Sequence, residues 1–189
     1  ALCLAESLIK RHGFDPADQM RRYLAWRDDG HLSSNGRCFD IGGTVSAALR
    51  RFEQTGDPFA GSTAPNSAGN GSIMRLAPVP LYFARQPEQA IHLSGESSRT
   101  THGAATCIAA CRYLGGLLVG ALQGVSKTEL LVPNYSPSGT AWPAGELAEP
   151  IAAIAAGSFT TKNPPEIRGP GYAVDSLEAE LWAFYPAST

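Results

Sequence analysis

GAATCIAACRYLGGLLVGAL, Gly103 to Leu122, is the most apolar window of the 189-residue chain, and its reading decides the fold. The stretch is near membrane-spanning length. Arg112 stands at its centre, where a charge inside a bilayer costs about 2.5 kcal/mol or more. A buried helix of a globular core is therefore expected, not a membrane span. Cys107 and Cys111 lie four positions apart on it and fit small thiols on a packed helix face.

Working outward, the flanking segments are also helical. Pro87 to about Ser97 reads as the preceding helix, joined to the apolar one by the turn SSRTTHG. Ser72 to about Ala84 is apolar but must kink or break at Pro78 and Pro80. Thr44 to about Gln54 carries an apolar stripe at Val45, Ala48, Leu49 and Phe52. Asp15 before Pro16 is a cap followed by proline at the first helical position, which predicts a helix from Pro16 to about Arg27. In ALCLAESLIKRHG, Leu2, Leu4, Ala5, Leu8 and Ile9 fall on one face, and Gly13 closes the helix. That helix starts with neither methionine nor cap, which leads us to expect a chain cut from something longer. Beyond the apolar window, Glu146 to Ala156 and Tyr172 to Phe184 read as helices, separated by VPNYSPSGTAWPAG and KNPPEIRGPG. Sustained two-residue alternation is missing throughout, so the expected class is all-α, with residues 1–189 forming one domain.

Composition narrows the function classes. Apolar residues make up 43% and charged ones 17%, which suits a globular core. A formal charge of -2 gives no electrostatic reason to bind nucleic acid or an anionic membrane. Cys3, Cys38, Cys107 and Cys111 lack the paired spacing of a zinc site and do not resemble a disulfide framework. With no basic segment leading into an apolar run at the start, a reduced, cytoplasmic protein is expected.

Three segments could carry chemistry. In CFDIGGT (Cys38–Thr44), Asp40 precedes two glycines and a helix start, so its carboxylate either caps that helix or receives donors from a ligand. In NSAGNGSIMR (Asn66–Arg75), Gly69 and Gly71 allow positive φ and Asn70 tolerates it. Free amides there, at the positive end of a helix dipole, would suit a phosphate, and Ser67 would add a hydroxyl. The stretch lacks the Lys-Ser/Thr pair of a P-loop. It is read either as an anion site or as a simple helix start, and Arg75 either as a phosphate partner or as half of an ion pair. In RTTHGA, Thr100 or Thr101 is expected to cap the long helix, with His102 in its first turn. The dipole there disfavours imidazolium, so His102 is either a neutral ligand contact or a packed residue. His12, His31 and His92 have no partner at suggestive spacing, and Trp26, Trp142 and Trp182 read as packing residues. No nucleophile with its base can be named, so no catalytic residue is assigned. Asp28-Asp29 ends a helix before a glycine turn and reads as a solvated pair, so no metal ligand is assigned either.

FDIGGT (Phe39–Thr44), AGNGSIMRLAP (Ala68–Pro78), SSRTTH (Ser97–His102) and GPGYAVDSLEAELWAF (Gly169–Phe184) occur in the order and approximate spacing of one family. The chain resembles the ADP-ribosylglycohydrolases, which include the dinitrogenase-reductase-activating glycohydrolase. The resemblance implies an orthogonal multi-helix bundle with a cleft for two magnesium ions. It also implies hydrolysis by metal-activated water of the glycosidic bond between ADP-ribose and a protein side chain or small acceptor. Carried onto this chain, it places Ser67, Gly69, Asn70 and Gly71 on the diphosphate and ribose side. Asp40 and Gly42 would flank the ribose or the leaving group, and His102 would contact the ligand. Family members also carry Thr-Asp-Asp-Thr just before the segment matching Ala1, a glutamate further upstream, and Asp-x-Asp-Thr soon after the segment matching Thr189. Those motifs hold most of the metal ligands and are not in these 189 residues; Gly43 also stands where several relatives have a polar residue. The expectation is thus a bundle truncated at both ends, inactive alone. The other reading is a non-catalytic ADP-ribose-binding or structural relative, like the lens crystallins that resemble this family. The expected partner is an ADP-ribosylated protein or an ADP-ribose-containing small molecule.

Overall fold

The computed structural model describes residues 1–187, and among these it is helical, with isolated bridges in place of a sheet. The first three helices are α1 (Leu2–Arg11), α2 (Pro16–Asp29) and α3 (Gly43–Thr55). Two short helices, α4 (Gly71–Met74) and α5 (Pro78–Tyr82), replace the single apolar stretch, which breaks before Pro78 as its missing N–H requires. Next come α6 (Pro87–Arg99), the apolar α7 (Ala105–Leu122), α8 (Lys127–Leu130), α9 (Glu149–Ala155) and α10 (Ala173–Phe184). Asp15 caps α2 as expected, its Oδ1 accepting from Asp18 N at 2.9 Å with Pro16 at the first position. His12, not Gly13, takes the left-handed position that closes α1, with φ 54°.

Helix α7 is the axis of the bundle and packs against α4, α5, α6, α8, α9 and α10. It is long and apolar enough to cross a membrane, yet 56% of it is buried among the other helices. Arg112 explains how a charge sits at its centre: the half-buried side chain lies over Gly95 of α6, and its Nη1 reaches Glu146 at 3.9 Å. A methyl at Gly95 would stand 2.7 Å from Arg112 Nε, and one at Gly115 would stand 2.4 Å from Ser94 Oγ. Small residues thus let α6 and α7 touch closely. On another face, Tyr113 meets the Trp142 ring edge to face at 6.0 Å. Trp142 Nε1 donates to Tyr135 O at 3.1 Å, which folds the proline-rich 131–148 segment onto the helix.

The core joins Leu4 and Leu8 of α1, Met20 of α2, Leu49 of α3, Val79 of α5, Ile151 and Ile154 of α9 and Leu177 of α10 around α7. Trp26, Trp142 and Trp182 pack against it, partly buried. The sequence reading missed α8, whose signal was present. Ser126 accepts from Glu129 N and Glu129 bonds back to Ser126 N, a reciprocal capping box around one turn.

Candidate functional site

A cleft of about 830 Å³ opens between the start of α1, the 32–42 connection, the start of α3 and the 69–75 segment, with His102 and Gly171 at its back. Asp40, Gly42, Gly69, Asn70, Gly71 and His102 all line it. Ser67 does not: its Oγ donates to Ala64 O at 2.6 Å, inside a single 3₁₀ turn over Pro65–Ser67.

Asp40 stands at the rim with φ 53°, a left-handed conformation that aspartate tolerates better than most residues. Gly42 is the N-cap of α3 and receives no side-chain bond, so Asp40 does not cap that helix. Its exposed carboxylate has no hydrogen-bond partner among the described residues.

The glycine-rich stretch differs from its sequence reading in two respects. First, neither Gly69 nor Gly71 has positive φ. At Gly71 the His102 ring leaves little room, since a Cβ there would stand 3.0 Å from His102 Cε1; a Cβ on Gly69 would meet Nε2 at an ordinary contact distance of 3.5 Å. Second, the amides at the start of the stretch are already used. Gly69 N donates to Ser67 O at 2.9 Å and Asn70 N to Gly171 O at 2.8 Å, part of a short antiparallel bridge to Tyr172. The Asn70 side chain also turns away, its Nδ2 donating to Ser176 Oγ of α10 at 3.1 Å. Helix α4 has only four residues, too few aligned peptides for a strong dipole. The stretch is therefore a narrow backbone shelf tied to α10.

His102 is not in the first turn of α7. That helix begins at Ala105 without a side-chain cap, while Thr100 Oγ1 donates to Ser97 O at 2.8 Å. His102 is fixed instead by a backbone crossing. Gly61 N donates to Arg99 O at 3.0 Å and Gly103 N to Ser62 O at 3.0 Å, so the 60–62 segment lies flush on the Arg99–Gly103 turn. The imidazole is 2% exposed, and its Nδ1 shares a 2.8 Å hydrogen bond with Thr101 Oγ1. Burial, and then the nearby Arg75 guanidinium, push its pKa down to about 3. His102 is accordingly neutral, with Nε2 towards the glycine shelf. Behind the shelf, Cys107 Sγ donates to Gly69 O at 3.4 Å, and burial pushes that thiol up to about 12, which makes it a packing group.

Tyr23, Trp26, Phe39 and Arg75 also line the cleft. The sequence offered only apolar periodicity for the two residues of α2, and a choice between phosphate and ion pair for Arg75. Among the described residues Arg75 has no carboxylate partner, so the ion-pair alternative is set aside. Nor do any three His, Cys, Asp or Glu side chains among the described residues converge to hold a metal ion. Among the described residues Asp40 is the single acid lining the cleft, and these residues do not fit a pair of magnesium ions.

The shelf yields a direct expectation. Gly71→Ala places a methyl against a ring that Thr101 holds and that burial confines, so His102 must shift by a few tenths of an ångström. Stability is expected to drop by about 1 kcal/mol, which thermal unfolding of the variant beside wild type checks.

Comparison with known proteins places these features. A family model for ADP-ribosylglycohydrolases matches residues 1–189. The ADP-ribosylarginine hydrolase Tri1 of Serratia proteamaculans (strain 568) is 35% identical over 185 residues, 98% of this chain and 48% of the relative. The ADP-ribosylarginine hydrolase Tri1 of Pseudomonas putida (strain GB-1) is 36% identical over 185 residues, 98% of this chain and 47% of the relative. A solved structure titled "ADP-ribosylglycohydrolase-related protein complex" superposes with a TM-score of 0.77 at 40% identity, covering 98% of this chain and 57% of that one. The chain thus spans about half the length of the curated relatives it matches. The family model over residues 1–189 and the like fold of the solved structure show that the chain belongs to the ADP-ribosylglycohydrolase family.

Proposed function

We propose that this chain forms the ADP-ribose-holding part of a hydrolase acting on ADP-ribosylated arginine. The observation that carries the reading is the match along 98% of the chain to two ADP-ribosylarginine hydrolases. The cleft geometry supports it. The shelf of Gly69, Asn70 and Gly71 offers close backbone approach to the diphosphate and ribose. Neutral His102 contributes one hydrogen bond from behind the shelf. Asp40 at the rim is an unpartnered acceptor suited to a ribose hydroxyl or to the guanidinium of the modified arginine. Ser67 acts only through the turn that it braces. The four cysteines are unpaired, which supports a reducing compartment such as the cytoplasm.

In this proposal residues 1–189 hold the substrate without cleaving it, because the described residues offer no metal-binding group. The test uses a protein ADP-ribosylated on arginine, with magnesium present. The chain is expected to bind the modified form, to be displaced by free ADP-ribose, and to release no ADP-ribose. Equal binding of modified and unmodified protein would overturn the substrate reading. Release at an enzyme-like rate would overturn the separation of holding from cleaving. Asp40→Asn is expected to weaken binding of the arginine-linked form by about tenfold and that of free ADP-ribose by less. Parallel titrations of the two ligands show whether it does.

A further inference from the structure

Arg75 occupies a position that neither packing nor ion pairing explains. It follows the last residue of α4 and enters the cleft floor, where its Nη2 donates to Ser97 O at 3.0 Å and to Thr100 Oγ1 at 3.1 Å. Its Nη1 reaches back to Gly71 O at 3.5 Å. The guanidinium carbon stands 5.2 Å from the centroid of the Tyr23 ring. Its Nε is buried without a partner, and no carboxylate among the described residues compensates the charge. Burying a cation this way is unfavourable unless the charge or the fork geometry has a use. The oxygens it gathers suggest that use: one belongs to the glycine shelf, and the other two belong to the end of α6 that leads into His102.

We propose that Arg75 is a positioning residue of the ADP-ribose wall: its fork clasps Gly71 to Ser97 and Thr100, and so fixes the glycine shelf against the turn that carries His102. The inference rests on the functional reading above for its purpose, but its geometry is independent of any ligand. Other titratable groups around this wall include the Tyr23 phenol of α2, the Cys107 and Cys111 thiols of α7, the Ala1 amino group at the cleft mouth and the Asp40 carboxylate at its rim. Burial pushes the phenol and both thiols up, so all three are neutral at ordinary pH. Burial, and then Arg75, push the amino group down. Arg75 is thus the charge that acts on His102 from within the wall.

The test reads His102 directly, by nitrogen NMR of its ring in the chain without ligand, from pH 8 down to the lowest pH at which the fold persists. Wild-type chain is expected to show a single neutral tautomer that does not titrate above about pH 4. Arg75→Gln is expected to move the onset of protonation to higher pH and to mix the two tautomers. Arg75→Lys, which keeps the charge but not the fork, is expected to restore the low onset while the ring signals still differ from wild type. An Arg75→Gln chain that keeps its fold and shows the wild-type tautomer and onset would overturn the proposal. Should Arg75→Gln unfold, the lysine variant decides alone: wild-type ring signals in Arg75→Lys would overturn the clasp. ADP-ribose titration of the same variants, expected to be about tenfold weaker with glutamine, separates the two claims. Altered His102 signals with no ADP-ribose binding in any variant, wild type included, would uphold Arg75 and sink the functional reading.

Discussion

Gly61→Ala is expected to destabilise the chain by about 3 kcal/mol, because the added methyl would overlap fixed backbone on several sides at once. A Cβ at Gly61 would stand 2.6 Å from Arg99 O, from His102 N and from Gly103 N. All three are backbone atoms of the turn that fixes His102, so no side-chain rotation relieves the clash. The two hydrogen bonds of the crossing, Gly61 N to Arg99 O and Gly103 N to Ser62 O, would have to open with it. For a chain of this size the loss corresponds to a fall in Tm of about 6–12 °C. Gly169→Ala is the matched control, because nothing lies within 4 Å of the added methyl and its φ is not in the left-handed region. A Gly61→Ala chain melting within about 2 °C of wild type would show that the crossing is looser than described.

The second large effect is a pH dependence of stability belonging to His102. Its folded-state value of about 3 lies well below the ordinary 6.5. Between those values the unfolded chain binds a proton that the folded chain refuses, so stability rises with pH across that window. The contribution is complete above about pH 6.5 and is lost as pH falls towards 3, at up to roughly 1.4 kcal/mol per pH unit. Six carboxylates are held below their ordinary values and contribute over a lower range, among them Glu6 and Asp15. Glu6 is held down by its hydrogen bond to His31 and by Arg22, and Asp15 by the Asp18 amide and Arg11, from ordinary values of 4.5 and 3.8. Glu180 works in the opposite sense, since burial raises its pKa and its contribution fades as pH rises. Subtracting the profile of His102→Gln from that of wild type removes these other contributions. Denaturant unfolding between pH 5 and 7 is expected to show a positive slope that the variant lacks. Parallel profiles would mean that His102 takes up protons in the folded chain as readily as in the unfolded one.

Much of the fold was legible because its signals are local. Asp15-Pro16 marked the start of α2, Pro78 ended one short helix before the next, and the period of Val45, Ala48, Leu49 and Phe52 gave α3. The class of α7 followed from one charge in an apolar run, and the structure shows how Gly95 and Glu146 accommodate it. What the sequence concealed depends on residues far apart in the chain. The glycines at 69 and 71 suggested positive φ, which neither adopts, and what crowds Gly71 is the His102 ring, about thirty positions later. Asn70 looked ligand-facing, but its side chain is engaged by Ser176, 106 positions away. Gly61 carried no motif, although its contact with Gly103 places the histidine. Arg75 offered two readings, and the structure sets the ion pair aside by showing its fork on oxygens of α6 and the shelf. Most of the motif residues therefore gather at one cleft, but for physical reasons other than those their spacing suggested.

The central claim is that the Gly69–Gly71 shelf and His102 form one wall that holds ADP-ribose. Amide and imidazole NMR signals followed during titration with ADP-ribose, with ribose 5-phosphate as a control for simple anion binding, test it most directly. The expected result is saturable shifts centred on Gly69, Asn70, Gly71, His102 and Asp40, with much weaker response to the control. Saturable binding that moves signals elsewhere and leaves these residues unchanged would contradict the claim.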